Sequence, residues 1–281
     1  MLLRRFKFGL KTLLVLILAT GSVLGFVSWE IRQGNRTSLA VANLRRNGSV
    51  LRYEWQVSLH EYAESGRVYA LERWDPSPCC FGIMGDGFLA GVAMLKSSDC
   101  EIDGSWIDNV RDLPKLEMIE LHGCKITSPE WSRTPSFPDI KYLVIQDSEI
   151  DPATSPFFDR FPGVEVADLG GTSISDMQLA EVVALPKLRV LNLSRQTLTI
   201  EKTTLILESS GLAYLYLHDS SVSDEALLRL SGHPSLQLLS LLGTDINQST
   251  IDALSASCPN LEIQRSLPDQ GPGNNGWRSL D

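Results

Sequence analysis

Residues 116–126 read LEMIELHGCKI, and residues 188–198 read LRVLNLSRQTL. The two lines share one frame, L-x-x-L-x-L-x-x-z-x-I, in which z is small or polar. The closing isoleucine-like position alone runs Ile102, Ile126, Ile150, Ile174, Leu198, Val222, Ile246, each 24 residues after the last with no insertion or deletion. The opening position, Val92, Leu116, Ile140, Val164, Leu188, Leu212, Leu236, keeps that step and then stretches by one to Leu261. A constant step of this size marks a solenoid: each unit is too small to bury its own apolar face and does so only against its neighbours. Within a unit, the L-x-L run reads as a strand that turns its leucines inward and the residues between them outward.

The rest of the unit follows from local chemistry. The z position (Cys100, Cys124, Ser148, Thr172, Gln196, Ser220, Thr244) falls where the chain leaves the strand, so a small polar or sulfur side chain there can satisfy turning backbone. Proline stands two residues before the opening apolar residue at Pro114, Pro138, Pro162, Pro186, Pro234 and Pro259; it stops the preceding helix and starts the next strand. Residues 128–138 and 152–162 contain Pro129, Pro135, Pro152 and Pro156 and predict extended or turn-like backbone. Residues 176–184, 200–208, 224–231 and 249–256 predict helices that bury Leu179 and Val183, Leu205, Leu227 and Leu230, and Ile251 and Leu254, with Ser175 and Gln178 as a capping box. Ser97 and Ala167 stand where leucine is expected.

Across residues 92–264 this pattern resembles the leucine-rich repeat family. The resemblance implies an α/β solenoid, right-handed, with parallel strands on the concave face and a mixed helical and extended convex side. With the leader RRFKFGLKTLL and one apolar run ahead of the repeats, the chain also looks like the membrane-anchored leucine-rich repeat proteins of planctomycete bacteria. That likeness implies architecture and leaves the ligand open.

Residues 1–11 form a basic leader, and 12–29 is uncharged between Lys11 and Glu30. Eighteen residues at ~1.5 Å rise give roughly 27 Å, enough for a bilayer core of ~30 Å with snorkelling flanks, so 12–29 reads as an uncleaved transmembrane anchor rather than a signal peptide. Four basic residues precede it, and Arg32 and Arg36 follow, which favours a repeat body outside the cytoplasm. Residues 30–47 predict a linker helix with Leu39, Ala42 and Leu44 on its apolar face. Residues 48–91 predict an N-terminal cap that begins with the strand SVLRYEWQV, and 265–281 is Gly/Pro/Asn-rich and predicted disordered. Eight basic residues against Glu30 alone give the first 50 residues +7 of a total of −9, which leaves −16 for the remainder. A body so acidic is repelled by phosphate backbones, which argues against a nucleic-acid partner.

No catalytic, metal or cofactor motif stands out. His60-Glu61 lacks the second histidine of a zinc helix, Gly85-Asp86-Gly87 lacks the Lys-Ser/Thr of a phosphate loop, and the five cysteines make no CxxC pair. His122 and His218 are four rungs apart, roughly 19 Å, too far to share a metal. Cys100 and Cys124 take the same z position on successive rungs, at a spacing open either to two buried thiols or to a disulfide. The candidate binding residues are therefore the outward-facing strand positions and strand ends: Tyr142, Asp168, Asn192, Arg195, Tyr214, Tyr216, His218 and Asp219. The expected function is non-catalytic: a membrane-tethered recognition or scaffold protein holding a protein, peptide or envelope polymer on its concave face. The alternative is a structural envelope protein that associates with itself. An active site in the cap is the third reading, and His60, Glu61, Glu64 and Asp75 have no spacing that supports it.

Overall fold

The computed structural model describes residues 10–53, 57–62, 67–72, 91–127 and 136–265; side chains are described from Leu18 onward, except in 54–90. Nearly all of the expected leader and tail, and most of the expected cap, lie outside these residues.

Nine strands form one sheet in the order β1 (Val50–Tyr53), β4 (Val92–Ser98), β6 (Met118–His122), β8 (Tyr142–Gln146), β10 (Val166–Asp168), β11 (Val190–Asn192), β13 (Tyr214–Tyr216), β15 (Leu238–Ser240), β16 (Glu262–Gln264). All neighbours are parallel except β1 against β4. Parallel registers match residues 24 apart, as in Leu191 opposite Leu215. The strands stack one inward row, Leu95, Ile119, Leu143, Ala167, Leu191, Leu215 and Leu239, each at most 1% exposed. A second row, Ser97, Leu121, Ile145, Leu169, Leu193, Leu217, Leu241, is at most 2% exposed. The isoleucine-like position makes a further short sheet, β5 (Glu101–Ile102), β7 (Lys125–Ile126) and β9 (Glu149–Ile150), and the pair β12 (Thr197–Leu198) and β14 (Ser221–Val222). This is a leucine-rich-repeat-like α/β coil.

The z position closes each turn. Cys124 N–H donates to Ser148 Oγ at 3.0 Å and Ser148 N–H to Thr172 Oγ1 at 3.2 Å. In turn Thr172 Oγ1 donates to Ile145 O (2.6 Å), Gln196 Nε2 to Leu169 O (2.7 Å) and Ser220 Oγ to Leu193 O (3.2 Å), each one rung back. Backbone groups that turn away from the strand are thereby paired inside the coil, where leaving one unpaired costs about 1–3 kcal/mol.

Convex helices occur at α3 (Asp176–Val183), α4 (Ile200–Ile206), α5 (Asp224–Arg229) and α6 (Gln248–Ser257), with the Ser175–Gln178 capping box formed. In α4 the buried positions are Thr203 and Ile206, and Leu205 is only half-buried, because the helix presents its i and i+3 side chains inward. The segment 152–162 carries two short 3-10 turns, Pro152–Thr154 and Phe158–Arg160. There Phe157, Phe158 and Phe161 fill the core, at most 1% exposed, and Glu181 Oε2 accepts the N–H groups of Phe157 (2.9 Å) and Phe158 (3.1 Å). Residues 128–135 lie outside the described residues. A helix not expected from the sequence, α2 (Gly104–Arg111), buries Trp106, Ile107 and Val110 and is N-capped by Asp103. Ser97 is explained here: its hydroxyl is 2.8 Å from Ser49 Oγ and 3.4 Å from Trp106 Nε1.

The N-terminal helix α1 is continuous from Leu10 to Arg46. Its C-terminal part lies along α2: Thr37 Oγ1 donates to Asp112 O (2.9 Å) and Asn43 Nδ2 to Asn109 Oδ1 (3.1 Å), with Ala40, Val41 and Leu44 buried. The expected apolar face of Leu39, Ala42 and Leu44 is therefore rotated: Leu39 is 63% exposed and Ala42 is exposed, because the stripe Thr37–Ala40/Val41–Leu44 follows the helical repeat. Among the described residues no helix is long and apolar enough to cross a membrane.

A fully buried row leucine and an exposed leucine should respond very differently to truncation. Leu215→Ala is expected to cost about 2–5 kcal/mol in urea unfolding of the full chain. Leu39→Ala should stay within about 0.5 kcal/mol of wild type.

Candidate functional site

The strands turn alternate positions to the outer face of the sheet, three of them in the five-residue strands β6 (Met118, Glu120, His122) and β8 (Tyr142, Val144, Gln146). The first outward row reads Met94, Met118, Tyr142, Val166, Val190, Tyr214, Leu238, an apolar column. Met118, Val166 and Val190 are each 1% exposed. The second row reads Lys96, Glu120, Val144, Asp168, Asn192, Tyr216, Ser240. Here the structure departs from the sequence expectation of a solvated ligand face: Asp168 is 1%, Asn192 5% and Tyr216 0% exposed. Tyr216 belongs to a separate apolar cluster with Val166, Val190 and Leu238, against which Tyr142 and Tyr214 pack half-buried. The apolar first row gives the polar second row a hydrophobic surface to lie on. The period-24 signal for it is plain once the residues two before the second row are read as a column of their own.

The buried side chains of Asp168 and Asn192 on this face are paired. Asp168 accepts from Gln146 Nε2 (2.7 Å) and from Gly170 N–H (3.0 Å). Asn192 Oδ1 accepts from Ser194 N–H (2.9 Å), and Ser194 Oγ accepts from His218 N–H (3.0 Å). His218 Nε2 lies 2.8 Å from Ser240 Oγ, and its ring meets Tyr216 edge-on at 5.6 Å between centroids. At the first rungs Glu120 sits between Lys96 Nζ (3.1 Å) and His122 Nε2 (2.5 Å). Burial pushes the Glu120 carboxyl up, but the hydrogen bond from His122 and the charge of Lys96 outweigh it and hold the group below its ordinary value.

The strand ends carry a row that the sequence reading named only in part. Asp99, Gly123, Asp147, Gly171, Arg195, Asp219 and Gly243 all have positive φ, between +48° and +70°. Each of the first six donates its N–H across to the next rung, as in Arg195 N–H to His218 O and Asp219 N–H to Leu242 O, both 2.8 Å. Glycine and aspartate tolerate the left-handed region, and their recurrence at the 24-residue step was the available signal. Asp99, Asp147, Arg195 and Asp219 point outward and are exposed. Arg195 Nη2 reaches two rungs back to both carboxylate oxygens of Asp147 (2.8 and 2.9 Å) and to Gly170 O (3.3 Å). Gly171 makes that reach possible: a Cβ there would stand 2.1 Å from Asp147 Oδ1 and 2.9 Å from Arg195 Nη2.

The eight candidate residues thus divide. Asp168, Asn192 and Tyr216 are part of the packed sheet face; Tyr142, Tyr214 and His218 are half-buried at its surface; Arg195 and Asp219 stand in the exposed strand-end row. Among the described residues no three His, Cys, Asp or Glu side chains converge as metal ligands would.

No protein-family model matches the sequence, and no curated protein matches it. Among solved structures the chain is similar to an internalin from Listeria monocytogenes, at 19% identity and TM-score 0.41, over 64% of this chain and 51% of that one. It is also similar to a pollen receptor kinase, at 18% identity and TM-score 0.29, over 68% of this chain and 80% of that one. The chain thus spans about half the length of the internalin.

Two outcomes follow from this division of the face. Gly171→Ala, strained at φ +70° and against the Arg195–Asp147 pair, is expected to lose about 1–3 kcal/mol, whereas Arg195→Ala, breaking an exposed pair, should lose no more than about 1 kcal/mol. Glu120, with its folded pKa lowered, contributes stability that is present above the ordinary glutamate value of about 4.3 and is lost as pH falls through the folded value. Urea midpoints measured from neutral pH downward should therefore fall less steeply in Glu120→Gln than in wild type.

Proposed function

We propose that this protein is a membrane-tethered, non-catalytic recognition or scaffold protein whose coil holds a protein, peptide or envelope polymer. The observation that carries the reading is the strand-end row, in which side chains of Asp147, Arg195 and Asp219 project from backbone fixed by rung-to-rung hydrogen bonds. A ligand meeting such a row orders little that is not already ordered, so a modest contact area suffices. Tyr142, Tyr214 and His218 border the row and add half-buried rings of the kind that anchor interfaces. The charge of −16 beyond residue 50 favours a neutral or basic partner over a polyanion.

Support for the tether comes from α1. Leu18, Val23, Leu24, Phe26, Val27, Trp29 and Ile31 are 45–68% exposed, and at 100° per residue they spread over about 240° of the helix, with Gly21, Gly25 and Ser28 in the remaining sector. An exposed apolar surface that wide belongs in a protein core or a bilayer. Together with the uncharged run from residue 12, this supports a single N-terminal span; the basic leader favours a coil outside the cytoplasm. A tether raises the effective concentration of the coil near surface partners, so weak contacts can act.

Detergent-solubilised full chain immobilised as bait should retain a set of envelope proteins or polymers that Arg195→Ala/Asp219→Ala loses at least tenfold, while its circular dichroism matches wild type. Equal recovery by wild type and variant would remove the row. For the tether, Leu18→Asp/Leu24→Asp should move the full chain from the alkali-resistant membrane fraction to the soluble one, since a charge near the centre of a span costs about 2.5–3.5 kcal/mol. Wild-type chain found wholly in the soluble fraction would end the membrane reading.

A further inference from the structure

Two thiols at equivalent places on the first two rungs are set for a covalent bond that the binding function does not use. Cys100 and Cys124 occupy the z position of successive rungs, and their sulfurs lie 3.1 Å apart. The backbone around them is fixed: Asp99 N–H donates to His122 O (2.8 Å) and Lys125 N–H to Cys100 O (2.9 Å), which brackets the pair between two rung-to-rung hydrogen bonds. Neighbouring strands at about 4.8 Å hold the two Cα atoms within the range a disulfide spans. Every later rung fills this position with a hydroxyl or an amide that bonds a backbone carbonyl, one rung back for Thr172, Gln196 and Ser220 and in its own rung for Ser148 and Thr244. Cys124 Sγ makes the same kinds of contact, 3.6 Å to Ser97 O one rung back and 3.4 Å to His122 O, at the length of a thiol donor. A thiol is a weaker donor than the hydroxyls of Ser148, Thr172 and Ser220, so two sulfurs here give up hydrogen-bond strength that a covalent bond would replace.

We propose that Cys100 and Cys124 form a disulfide that staples the first rung of the coil to the second. The step is thiol–disulfide exchange with an external disulfide, RSSR, of small-molecule or protein origin. One thiolate attacks RSSR, forms a mixed disulfide and expels RS⁻; the second cysteine, losing its proton, attacks the sulfur of the first and expels another RS⁻. The pair loses two electrons and two protons, and RSSR is reduced to two RSH. Cys100 is the point of entry, being half-exposed, whereas Cys124 is 1% exposed. Burial, reinforced by the hydrogen bond between Cys100 and Cys124, pushes the Cys100 thiol up to about 12. A thiol so held is a poor nucleophile, which makes the bond a structural one set during folding rather than a rapidly cycling switch. The staple sits at the end of the coil where Ser97 meets Ser49 of the cap and Trp106 of α2, an interface the periodic core cannot supply. The bond persists where the coil stands outside the cytoplasm, so the inference rests on the placement proposed above; cytosolic glutathione would keep the pair reduced.

The test uses the full chain carrying Cys79→Ser/Cys80→Ser/Cys258→Ser, so that only this pair remains. In one arm the folded, reduced protein is incubated with oxidised glutathione. In the other, reduced and denatured protein is refolded in mixed oxidised and reduced glutathione, so that slow entry into the folded coil cannot hide the bond. Free thiols are then alkylated and the protein is digested with trypsin. The expected product of the refolding arm is peptide 97–111 joined to peptide 116–125, two hydrogens lighter than their sum, and converted by a reductant to the two separate peptides. The joined protein should unfold at a higher urea midpoint than its reduced form. Recovery of both peptides fully alkylated from protein whose circular dichroism matches wild type would overturn the proposal. So would oxidation that leaves only glutathione adducts on Cys100. Repeating the refolding with wild-type chain adds a competition: pairing of Cys100 or Cys124 with Cys79, Cys80 or Cys258 instead of with each other would overturn it as well.

Discussion

The hydrogen bond from one rung to the next, repeated at a step of 24 residues, is the constraint on which everything else in this protein rests. It fixes the strand spacing, and the spacing then decides what each position can hold. A row such as Leu191, Leu215 and Leu239 is buried because identical positions on successive strands face the same interior. No single unit has a core of its own; each supplies one layer of a shared one. The same repetition explains the z ladder, where Ser148 and Thr172 hand a donor and an acceptor from one turn to the next.

Repetition also creates its own defect, the open end. The first rung has no predecessor, and the chain answers with two different elements. Strand β1 pairs antiparallel with β4, which ends the parallel ladder, and the C-terminal part of α1 covers α2. Ser97 replaces a leucine in this rung and meets Ser49 and the Trp106 indole, so the polar substitution is matched by one polar partner from the cap and one from α2. The rung fits the cap because it departs from the repeat.

How much of this was legible in the sequence varies with what the residues report. The inward rows, the z position and the Ser175 capping box could be read because each is set by contacts within a unit or between identical positions. The face of α1 could not be placed from Leu39, since a short polar helix offers several weak stripes and only its partner α2 selects Thr37, Val41 and Leu44. Asp168, Asn192 and Tyr216 were assigned correctly to the outer face and wrongly to solvent. Alternation along a strand tells inside from outside the coil but says nothing about what lies beside a residue on the outside, and there the apolar row from Met118 to Leu238 creates a second packed layer. Arg195 hid the left-handed row, because it stands where every other member is aspartate or glycine.

The two halves of the candidate site are therefore under different physical demands. Asp168 and Asn192 satisfy buried donors, and replacing such a group strands partners at about 1–3 kcal/mol each. Arg195 and Asp147 form an exposed pair, which contributes no more than about 1 kcal/mol, and Asp219 stands exposed on backbone fixed through its own N–H. Side chains in the strand-end row can thus change with little cost to the coil, while the backbone beneath continues to present whatever replaces them at a fixed interval. A surface that recognises partners must be able to vary without unfolding its support. In this coil that freedom lies at the ends of the strands, while the packed middle of the sheet carries the stability.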